Sequence, residues 1–554
     1  MTMARTSDVW WKNAVFYCLD VETFQDGNGD GIGDFAGLTE RIDYLAGIGV
    51  TCLWLMPFFP SPNQDDGYDI TDYYAIDPKF GNLGDFVEFM RTARDRGIRV
   101  IADLVVNHTS SRHPWFQASR QRRAPFEDFY VWRDEKPADG PQGLIFPGQQ
   151  EEIWTLDRER GQYYLHRFYK HQPDLNVAEA RVRHEIQKII GFWLELGLSG
   201  FRVDAVNFLI ERDGIKHPGD LEPHGFLRNL RAFLNRRRGE AMMMGEVNLE
   251  PEAVRAYFGD EDGDELHMCL NFNLNQALAL ALVRRTAVPL VGCLEALLAL
   301  PPDDQWGNFV RNHDEWSLDK LSEEEREEVF EAFGPEEDMQ LFGRGLRRRL
   351  PTMLDGDQAR IRTAYALAFG LPGAPVLFYG EEIGMAENLA IPGRYSVRAP
   401  MQWSDEPNGG FSSADPGDLR RPTVEGSFGP AKVNVADQQN VEHSLLNWME
   451  RLIRARRATP EIGHGLYRIL RTGDEAVLGL RYDWDQRVLL VIHNLADAKR
   501  QLEIDPGETR GWRDLLMVFG KAEVSFEDEQ VKVCLDAYGS CWLRVRRNAE
   551  NLNR

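Results

Sequence analysis

Long apolar runs are missing from this sequence. No stretch of about 18 consecutive apolar residues occurs, which is the length that a membrane-spanning helix requires. The first residues also contain no apolar core of signal-peptide length. From these absences we expect a cytoplasmic protein that has no membrane partner.

Cysteine is scarce and scattered. The six cysteines among 554 residues form no Cys-x-x-Cys pair, and several stand in apolar, strand-like runs. Paired cysteines are typical of zinc sites, and disulfide frameworks are typical of small secreted domains. We therefore predict buried free thiols.

Positive charge is in short supply as well. The chain has 64 Lys and Arg against 88 Asp and Glu, which gives a formal net charge of -24. Such a surface repels phosphate backbones and anionic membranes, so the composition argues against a nucleic-acid partner and favours a neutral substrate. We interpret the basic cluster of Arg347, Arg348 and Arg349 as a solvated helix face. The composition leaves homo-oligomerisation open.

The order of apolar segments predicts the central fold. Short apolar segments alternate with helical segments, which is typical of βα units and a parallel sheet. Eight parallel strands are most simply closed as a (β/α)8 TIM barrel, whose catalytic side chains stand at the C-terminal ends of the strands. The predicted strands are residues 15–19, 52–56, 100–105, 201–203, 242–244, 266–270, 308–310 and 375–379.

Two further units are predicted around this α/β barrel. The interval after strand three is too long for an ordinary loop, and its aromatic, Pro and Gly content indicates an inserted subdomain B. Near the end of the chain, strands joined by turns predict an antiparallel β-sandwich, with residues 459–465 as the linker. We assign residues 1–107 and 177–457 to the barrel, 108–176 to subdomain B and 458–554 to the C-terminal domain.

Residues 200–206 contain the most informative motif. Arg202 and Asp204 stand two apart in an apolar, β-prone run, so the pleat of a strand places both side chains on one face. A guanidinium lowers the pKa of a neighbouring carboxyl and keeps it ionised, as a carboxylate nucleophile requires. For an isolated Arg-x-Asp, the alternative is a salt bridge at the end of a strand.

Further acids and histidines follow other predicted strands. Glu246 comes after a very apolar run, where burial raises the pKa of an acid and suits it to donate a proton. His108 follows the third strand, and His313 and Asp314 follow a later one; a lone His is more often structural. Together with Asp204 they form a glycosidase-like site, in which one acid is kept ionised and another neutral.

Three loops carry less specific signals. In residues 26–34, Asp and Asn alternate with Gly as in the first two-thirds of a calcium loop, with an ordinary Asp/Gly turn as the alternative. Asp69, in a polar and aromatic stretch, fits either a sugar-binding role or a capped loop. Asp174 fits either a metal ligand or a helix cap.

Taken together, these motifs resemble the α-amylase family of glycoside hydrolases, family thirteen, in which they appear in this order along the barrel. The resemblance runs through nearly the whole chain. It implies that Asp204 is the nucleophile, Glu246 the general acid/base and Asp314 a third carboxylate that stabilises the transition state. The implied substrate-binding residues are Asp69, His108, Phe168, Gln172, Arg202, His313 and Arg398.

The same resemblance implies structural Ca²⁺. One site would be formed by Asn107, Asp174 and Glu211, with the backbone oxygens of Phe208 and Leu209. The loop of residues 26–34 resembles a second site, where Mg²⁺ is an alternative. Its ligands would be Asp26, Asn28, Asp30, Ile32 and Asp34.

Within the family, residues 172–176, 57–62, 107–117 and 311–354 are most similar to trehalose synthases, which are maltose glucosylmutases, and to oligosaccharide-acting α-glucosidases. This implies a retaining enzyme that forms a covalent β-glucosyl-Asp intermediate on a neutral α-glucoside, either maltose or a short α-1,4-linked oligosaccharide. Glucosyl transfer of the trehalose-synthase type is the first prediction, and α-glucosidase or α-amylase-type hydrolysis with transglycosylation is the second. An inactive sugar-binding relative is a third, which the presence of all three acids argues against.

Overall fold

The computed structural model describes residues 9–137, 144–210 and 223–547. The strands in these ranges are β1 (Phe16–Leu19), β2 (Cys52–Leu55), β3 (Arg99–Leu104), β4 (Trp132–Arg133), β5 (Trp154–Asp157), β6 (Gln162–Leu165), β7 (Gly200–Val203), β8 (Met242–Gly245), β9 (Met268–Leu270), β10 (Gln305–Phe309), β11 (Trp316–Ser317), β12 (Gln340–Leu341), β13 (Gly345–Leu346), β14 (Ala374–Phe378), β15 (Leu466–Leu470), β16 (Val477–Trp484), β17 (Arg487–Asn494), β18 (Arg500–Ile504), β19 (Trp512–Gly520), β20 (Glu523–Glu527), β21 (Gln530–Leu535) and β22 (Ser540–Arg547).

Helices alternate with the barrel strands and cover them. The α-helices in the same ranges are α1 (Val21–Phe24), α2 (Phe35–Glu40), α3 (Ile42–Ile48), α4 (Leu83–Asp95), α5 (Pro114–Arg120), α6 (Ala180–Glu195), α7 (Val206–Ile210), α8 (Pro223–Arg237), α9 (Pro251–Ala256), α10 (Phe272–Arg284), α11 (Val288–Ala296), α12 (Glu323–Phe333), α13 (Leu350–Met353), α14 (Gln358–Gly370), α15 (Val435–Gln439), α16 (Leu445–Arg457) and α17 (Pro460–His464). None of them is long and apolar enough to cross a membrane.

Eight parallel strands close into a barrel, in the order β1-β14-β10-β9-β8-β7-β3-β2. The predicted TIM barrel is therefore confirmed, and each predicted strand overlaps one of these. The strands are buried on both faces because their apolar runs fill the barrel on one side and contact the helices on the other. At the start of β7, Gly200 has a φ of 152°, and a Cβ there would lie 2.2 Å from the Met242 carbonyl oxygen, so only Gly allows this approach.

Two small sheets lie beyond the C-terminal ends of the barrel strands. The sheet β4-β6-β5 lies in the long segment between β3 and β7, where the inserted subdomain is predicted. The sheet β11-β13-β12 lies between β10 and β14. Loops from these two segments line the mouth of the barrel.

The end of the chain forms two antiparallel sheets, of order β15-β16-β17-β22-β19 and β18-β21-β20. Their apolar side chains share one core, because Ile492 and Leu543 of the first sheet and Ile504 and Val533 of the second belong to a single buried cluster. The predicted C-terminal antiparallel β domain is therefore confirmed.

Three local features can be compared with the sequence analysis. The cysteines are free thiols as predicted, and all but Cys293 and Cys534, which are partly exposed, are also buried. The predicted linker contains α17, whose Glu461 is fully buried and whose Gly463 packs against the backbone of Lys12, and it connects α16 to β15. The predicted solvated helix face is wrong: Arg349 is only 1% exposed, because it donates hydrogen bonds to the carbonyl oxygens of Tyr379 and Val397.

Candidate active site

Two carboxylates stand side by side at the C-terminal rim of the barrel. Asp204 follows β7 directly, and Glu246 follows β8, its neighbour in the sheet. The Asp204 N–H donates to the Leu104 carbonyl oxygen at 3.2 Å, and the Glu246 N–H donates to that of Val203 at 3.2 Å. The parallel ladder thus continues one residue past each strand and fixes both backbones.

Arg202 connects these two carboxylates. It is 1% exposed, and its Nη1 lies 2.6 Å from Asp204 Oδ1, as its position two residues earlier on the same strand face predicts. Its Nη2 lies 2.7 Å from Glu246 Oε2, and Asp103 Oδ1 lies 3.4 Å from Nη1. The salt bridge is therefore part of a larger arrangement, in which one buried guanidinium holds two acids from neighbouring strands.

The backbone after Asp204 is tied to Glu246. Ala205 has a φ of 48°, in the left-handed region that residues with a Cβ rarely adopt. This conformation directs its N–H to Glu246 Oε2, at a distance of 3.1 Å. Glu246 Oε2 therefore faces two donors, and the strained residue lies where geometric precision at the site requires it.

Burial raises the pKa of both acids. It raises the pKa of Asp204 to about 6, although Arg202 opposes the rise. The predicted lowering of this pKa is wrong, because the loss of hydration outweighs the guanidinium. Burial also raises the pKa of Glu246, to about 7, against the same guanidinium. Glu246 therefore retains its proton to higher pH than Asp204, which is the order that the sequence analysis predicts.

Two guanidiniums hold Asp314 as an anion. Its Oδ1 accepts from Arg394 Nη1 at 2.9 Å and from Arg398 Nη2 at 3.0 Å, and its Oδ2 lies 3.1 Å from His313 Nε2. Burial raises the pKa of Asp314, but the surrounding His313, Arg394 and Arg398 outweigh it and lower that pKa below the usual range. Burial lowers the pKa of His313 far enough to leave its ring neutral, so the two guanidiniums carry the effect.

All three acids open into one cavity at the mouth of the barrel. Phe168 and His108, for which substrate binding stays a prediction, lie in its wall, and their rings are 5.0 Å apart. The cavity is lined by Asp65, Tyr68, His108, Ile145, Phe146, Phe168, Asp204, Ala205, Asn207, Phe208, Glu246, Asn248, Phe272, Asn312, Asp314, Glu315, Ser317, Asp319, Arg344 and Arg394. It combines apolar and aromatic walls with a few converging carboxylates, which is typical of a small-molecule-binding pocket.

Asp65, and not Asp69, is the carboxylate that this loop presents to the cavity. Asp69 is fully buried, and its oxygens accept hydrogen bonds from Ser61 Oγ and from the N–H groups of Gln64 and Asp65. The predicted contact of Asp69 with substrate is therefore wrong, because its acceptors are used to shape the loop. The sequence signal that was missed is the acidic pair before Gly67, of which Asp65 is the first residue.

Arg394 takes the place in the cavity that the sequence analysis predicts for Arg398. Arg398 is fully buried behind Asp314, where it also binds Asp66 and the His313 carbonyl oxygen. Arg394 lines the cavity and bridges Asp314 to Asp65. The two arginines are four residues apart around a 3₁₀ turn, which sequence reasoning alone did not resolve.

The remaining predicted substrate-binding residues form the support behind the cavity wall. Gln172 is fully buried and donates from Nε2 to Asp65 Oδ2 at 2.9 Å. His313 stacks on Tyr68 at a ring distance of 5.8 Å, and its Nε2 lies 2.7 Å from the Tyr68 hydroxyl. Gln172, His313 and Arg202 thus act on the cavity through the side chains that they hold.

The predicted metal ligands fall into two different situations. Asp26 Oδ1 accepts from the N–H groups of Asn28 and Gly29, and its Oδ2 accepts from Gly31 N–H and Ser412 Oγ. The other side chains of this loop behave in the same way. Asn28 accepts from Asp30 N–H, Asp30 accepts from Ile32 N–H, and Asp34 caps α2 through Gly37 N–H.

The loop of residues 26–34 is therefore shaped by its own hydrogen bonds. In the described ranges, no three His, Cys, Asp or Glu side chains come together in an arrangement that could hold a metal. Binding of Ca²⁺ or Mg²⁺ in this loop stays a prediction.

The other predicted metal site has a better donor set. The Leu175 N–H donates to the Asn107 carbonyl oxygen at 2.8 Å, which places Asn107 beside Asp174. The Oδ1 of Asn107 is buried without a hydrogen-bond partner, as a ligand of a hard cation would be. Phe208 and Leu209 lie on α7, and Glu211 lies outside the described residues.

A family profile decides the relationship that this geometry indicates. The profile "Alpha amylase, catalytic domain" matches residues 21–330 and 339–465. The chain belongs to the α-amylase family. The profile "Sucrose hydrolase-like, C-terminal domain" matches residues 487–544, within the two antiparallel sheets.

Several α-amylase family relatives match the chain over nearly its full length. It is 39% identical to the trehalose synthase of Pimelobacter sp. (strain R48), over 97% of this chain and 96% of that one. It is 38% identical to the trehalose synthase/amylase TreS of Mycolicibacterium smegmatis, over 98% and 93% of the two chains. The crystal structure of the α-glucosyl transfer enzyme XgtA has a TM-score of 0.77 and 29% identity, covering 97% of this chain and 99% of that one. The chain is thus a trehalose-synthase-like enzyme of the α-amylase family.

Proposed function

We propose that this enzyme transfers a glucosyl group from maltose or a short α-1,4-linked oligosaccharide with retention of configuration, and that it converts maltose to trehalose. The observation that carries the proposal is the position of Arg202, which holds both Asp204 and Glu246 at one edge of the cavity. A retaining glycosidase requires two such acids, one ionised and one protonated. The names of the trehalose synthase relatives support the substrate and the product.

In the proposed first step, Asp204 attacks the anomeric carbon while Glu246 gives its proton to the departing glycosidic oxygen. The products are a β-glucosyl ester of Asp204 and a free sugar, and Glu246 is left as a carboxylate. In the second step, Glu246 removes the proton from an acceptor hydroxyl, which attacks the same carbon and frees Asp204. Arg202 remains paired with Asp204 when Glu246 is protonated, and so it keeps the nucleophile ionised.

Asp314, Asp65 and Arg394 are proposed to hold the glucosyl unit during these steps. They line the cavity together, and the positive Arg394 bridges the two acids. Hydroxyl groups of a sugar can donate to both carboxylates and accept from the guanidinium. Gln172 and Tyr395 fix Asp65 from behind, so the group of polar side chains is preorganised for the sugar.

Enclosure of the cavity is what favours transfer over hydrolysis in this proposal. Arg344 Nη2 donates to the Ile145 carbonyl oxygen at 2.7 Å, and the rings of Phe146 and Phe342 are 5.2 Å apart. These contacts join the long segment after β3 to the segment after β10 above the acids. A closed pocket keeps water from the glucosyl ester and retains the released sugar as acceptor.

Incubation with maltose tests the proposed reaction. We expect trehalose as the main product and free glucose as a minor one, measured by chromatography at several times. Glucose without trehalose would contradict the transfer and would support hydrolysis instead. The Phe342→Ala enzyme is expected to give a larger share of glucose, because it removes one side of the ring contact above the cavity.

The pH profile tests the assignment of the two acids. Asp204 must be ionised, so kcat/KM rises as the pH increases through about 6. Glu246 must be protonated, so kcat/KM falls as the pH increases through about 7. We expect a narrow bell with its maximum between these values. A rate that does not change across both values would contradict the assignment.

We also propose a structural Ca²⁺ that is held by Asn107 and Asp174. When bound, the ion supplies a charge that stabilises the oxygen donors of these two residues. Elemental analysis of the purified protein is expected to find calcium, and Asn107→Leu is expected to remove it and to lower the melting temperature. Unchanged calcium content in this variant would contradict the site.

A further inference from the structure

A second large cleft lies between the barrel and the C-terminal β domain. Its volume is about 930 Å³, and it is bordered by α14 and α16 on one side and by β19 and the start of β22 on the other. None of the residues that line it lines the active-site cavity. A ligand in this cleft would therefore be bound apart from the reacting sugar.

The charge of this cleft is opposite to that of the chain as a whole. Arg362, Arg451, Arg454 and Lys521 line it, with Asp536 as the acidic side chain among the lining residues. The complete sequence has a formal net charge of -24, so acids are abundant elsewhere on the surface. A cationic cleft on an acidic protein attracts anions selectively.

Two of these guanidiniums lack a carboxylate partner. Arg362 Nη2 donates to the His443 carbonyl oxygen at 2.6 Å, and Arg451 Nη1 donates to that of Glu442 at 3.3 Å. No described carboxylate lies within ion-pair distance of either one. Arg362 Nε is buried and has no hydrogen-bond partner. Arg454, by contrast, is paired with Glu450.

The charge of Arg451 acts on Arg362. Burial, and secondly the charge of Arg451, lowers the pKa of Arg362. Solvated arginines at a domain junction are the ordinary explanation for such a pair. An anion site is the better explanation because Arg362 and Arg451 line one cleft together with Arg454 and Lys521, and because the Arg362 Nε is buried with no hydrogen-bond partner.

The size and the walls of the cleft indicate what else the ligand carries. The volume far exceeds that needed for a phosphate ion alone. The half-buried ring of Trp448 lines the cleft, packs against Phe519 at 5.6 Å and lies 5.9 Å from the Arg362 guanidinium carbon. A flat wall of this kind accepts the apolar face of a sugar ring.

From these contacts we propose that the cleft binds a phosphorylated monosaccharide. The phosphate lies between Arg362 and Arg451, and the sugar ring packs against Trp448. Because the cleft is formed by both the barrel and the C-terminal domain, binding connects the two.

Calorimetric titration of the full-length enzyme tests this proposal with glucose 6-phosphate, inorganic phosphate and glucose. We expect glucose 6-phosphate to bind the wild-type enzyme, and Arg451→Gln and Arg362→Lys each to raise its Kd at least about tenfold. Arg236→Gln, an exposed residue of α8 that does not line the cleft, is the matched control and should leave the Kd unchanged. Maltose turnover should be unchanged in Arg451→Gln, so that the result is independent of the proposed reaction.

Three outcomes would overturn the proposal. Absence of glucose 6-phosphate binding at millimolar concentration would do so, as would a Kd that neither arginine substitution changes. Inorganic phosphate that binds as tightly as glucose 6-phosphate would overturn the sugar assignment. Arg362→Lys retains the charge, and Arg451 is exposed, so that loss of folding does not explain a loss of binding in both variants.

Discussion

Asp204→Asn is expected to lower kcat on maltose by a factor on the order of 10⁴ or more, because an amide cannot form the glucosyl ester. Arg202 retains Glu246 and Asp103 as partners in this variant, so the barrel is expected to remain folded. Steady-state kinetics and the melting temperature together measure the two effects. Asp405→Asn, an exposed acid in a loop, is the matched control and should leave kcat unchanged.

The stereochemistry of chemical rescue makes this expectation sharper. In Asp204→Gly, azide can enter the space of the missing carboxylate, attack the anomeric carbon of α-glucosyl fluoride and displace fluoride in one step. The product would be β-glucosyl azide, since a single displacement inverts the configuration. An α-glucosyl azide, or unchanged turnover of maltose in Asp204→Asn, would refute the nucleophile assignment.

Glu246→Gln is expected to lower kcat on maltose by about 10²- to 10⁴-fold, because the amide has no acidic proton to give to the leaving sugar. Formation of the glucosyl ester from α-glucosyl fluoride should be affected much less, since fluoride leaves without a proton. The fall in kcat/KM above a pH of about 7 should also disappear, because the group that causes it is gone. Rapid-quench and pH-rate measurements separate these effects.

Azide distinguishes this variant from the first one. It should accelerate the second step in Glu246→Gln without needing a general base, and it should give α-glucosyl azide after two displacements. Equal losses on maltose and on α-glucosyl fluoride would contradict the role of Glu246 as proton donor. The opposite configurations expected from Asp204→Gly and Glu246→Gln identify each acid without reference to the other.

The sequence predicts the barrel and its paired acids because both depend on short-range rules. Continuous apolar runs identify the strands, and the pleat places Arg202 and Asp204 on one face. Glu246 can be assigned to the site because it directly follows β8, which pairs with β7 and ends at the same edge of the sheet. The capping box of Ser322 and Glu325 at the start of α12 is another feature of this kind, since it depends only on local spacing.

Residues on loops could not be assigned in this way. The choice between Asp65 and Asp69 depends on which carboxylate is used by the backbone of its own loop, and the sequence does not show that. The choice between Arg394 and Arg398 depends on the direction of a 3₁₀ turn. Arg349 is buried because distant carbonyl oxygens accept its donors, which no local pattern reveals.

The separation of Asp65 and Arg394 along the chain has a consequence for how the enzyme is made. Asp204 and Glu246 come from consecutive barrel strands, whereas Arg394 meets Asp65 across 329 residues. During synthesis, Arg394 emerges after β14, the strand that closes the barrel against β1. A growing chain therefore contains Asp204 and Glu246 long before Arg394 can join Asp65, so the cavity is completed only after the barrel strands have been made.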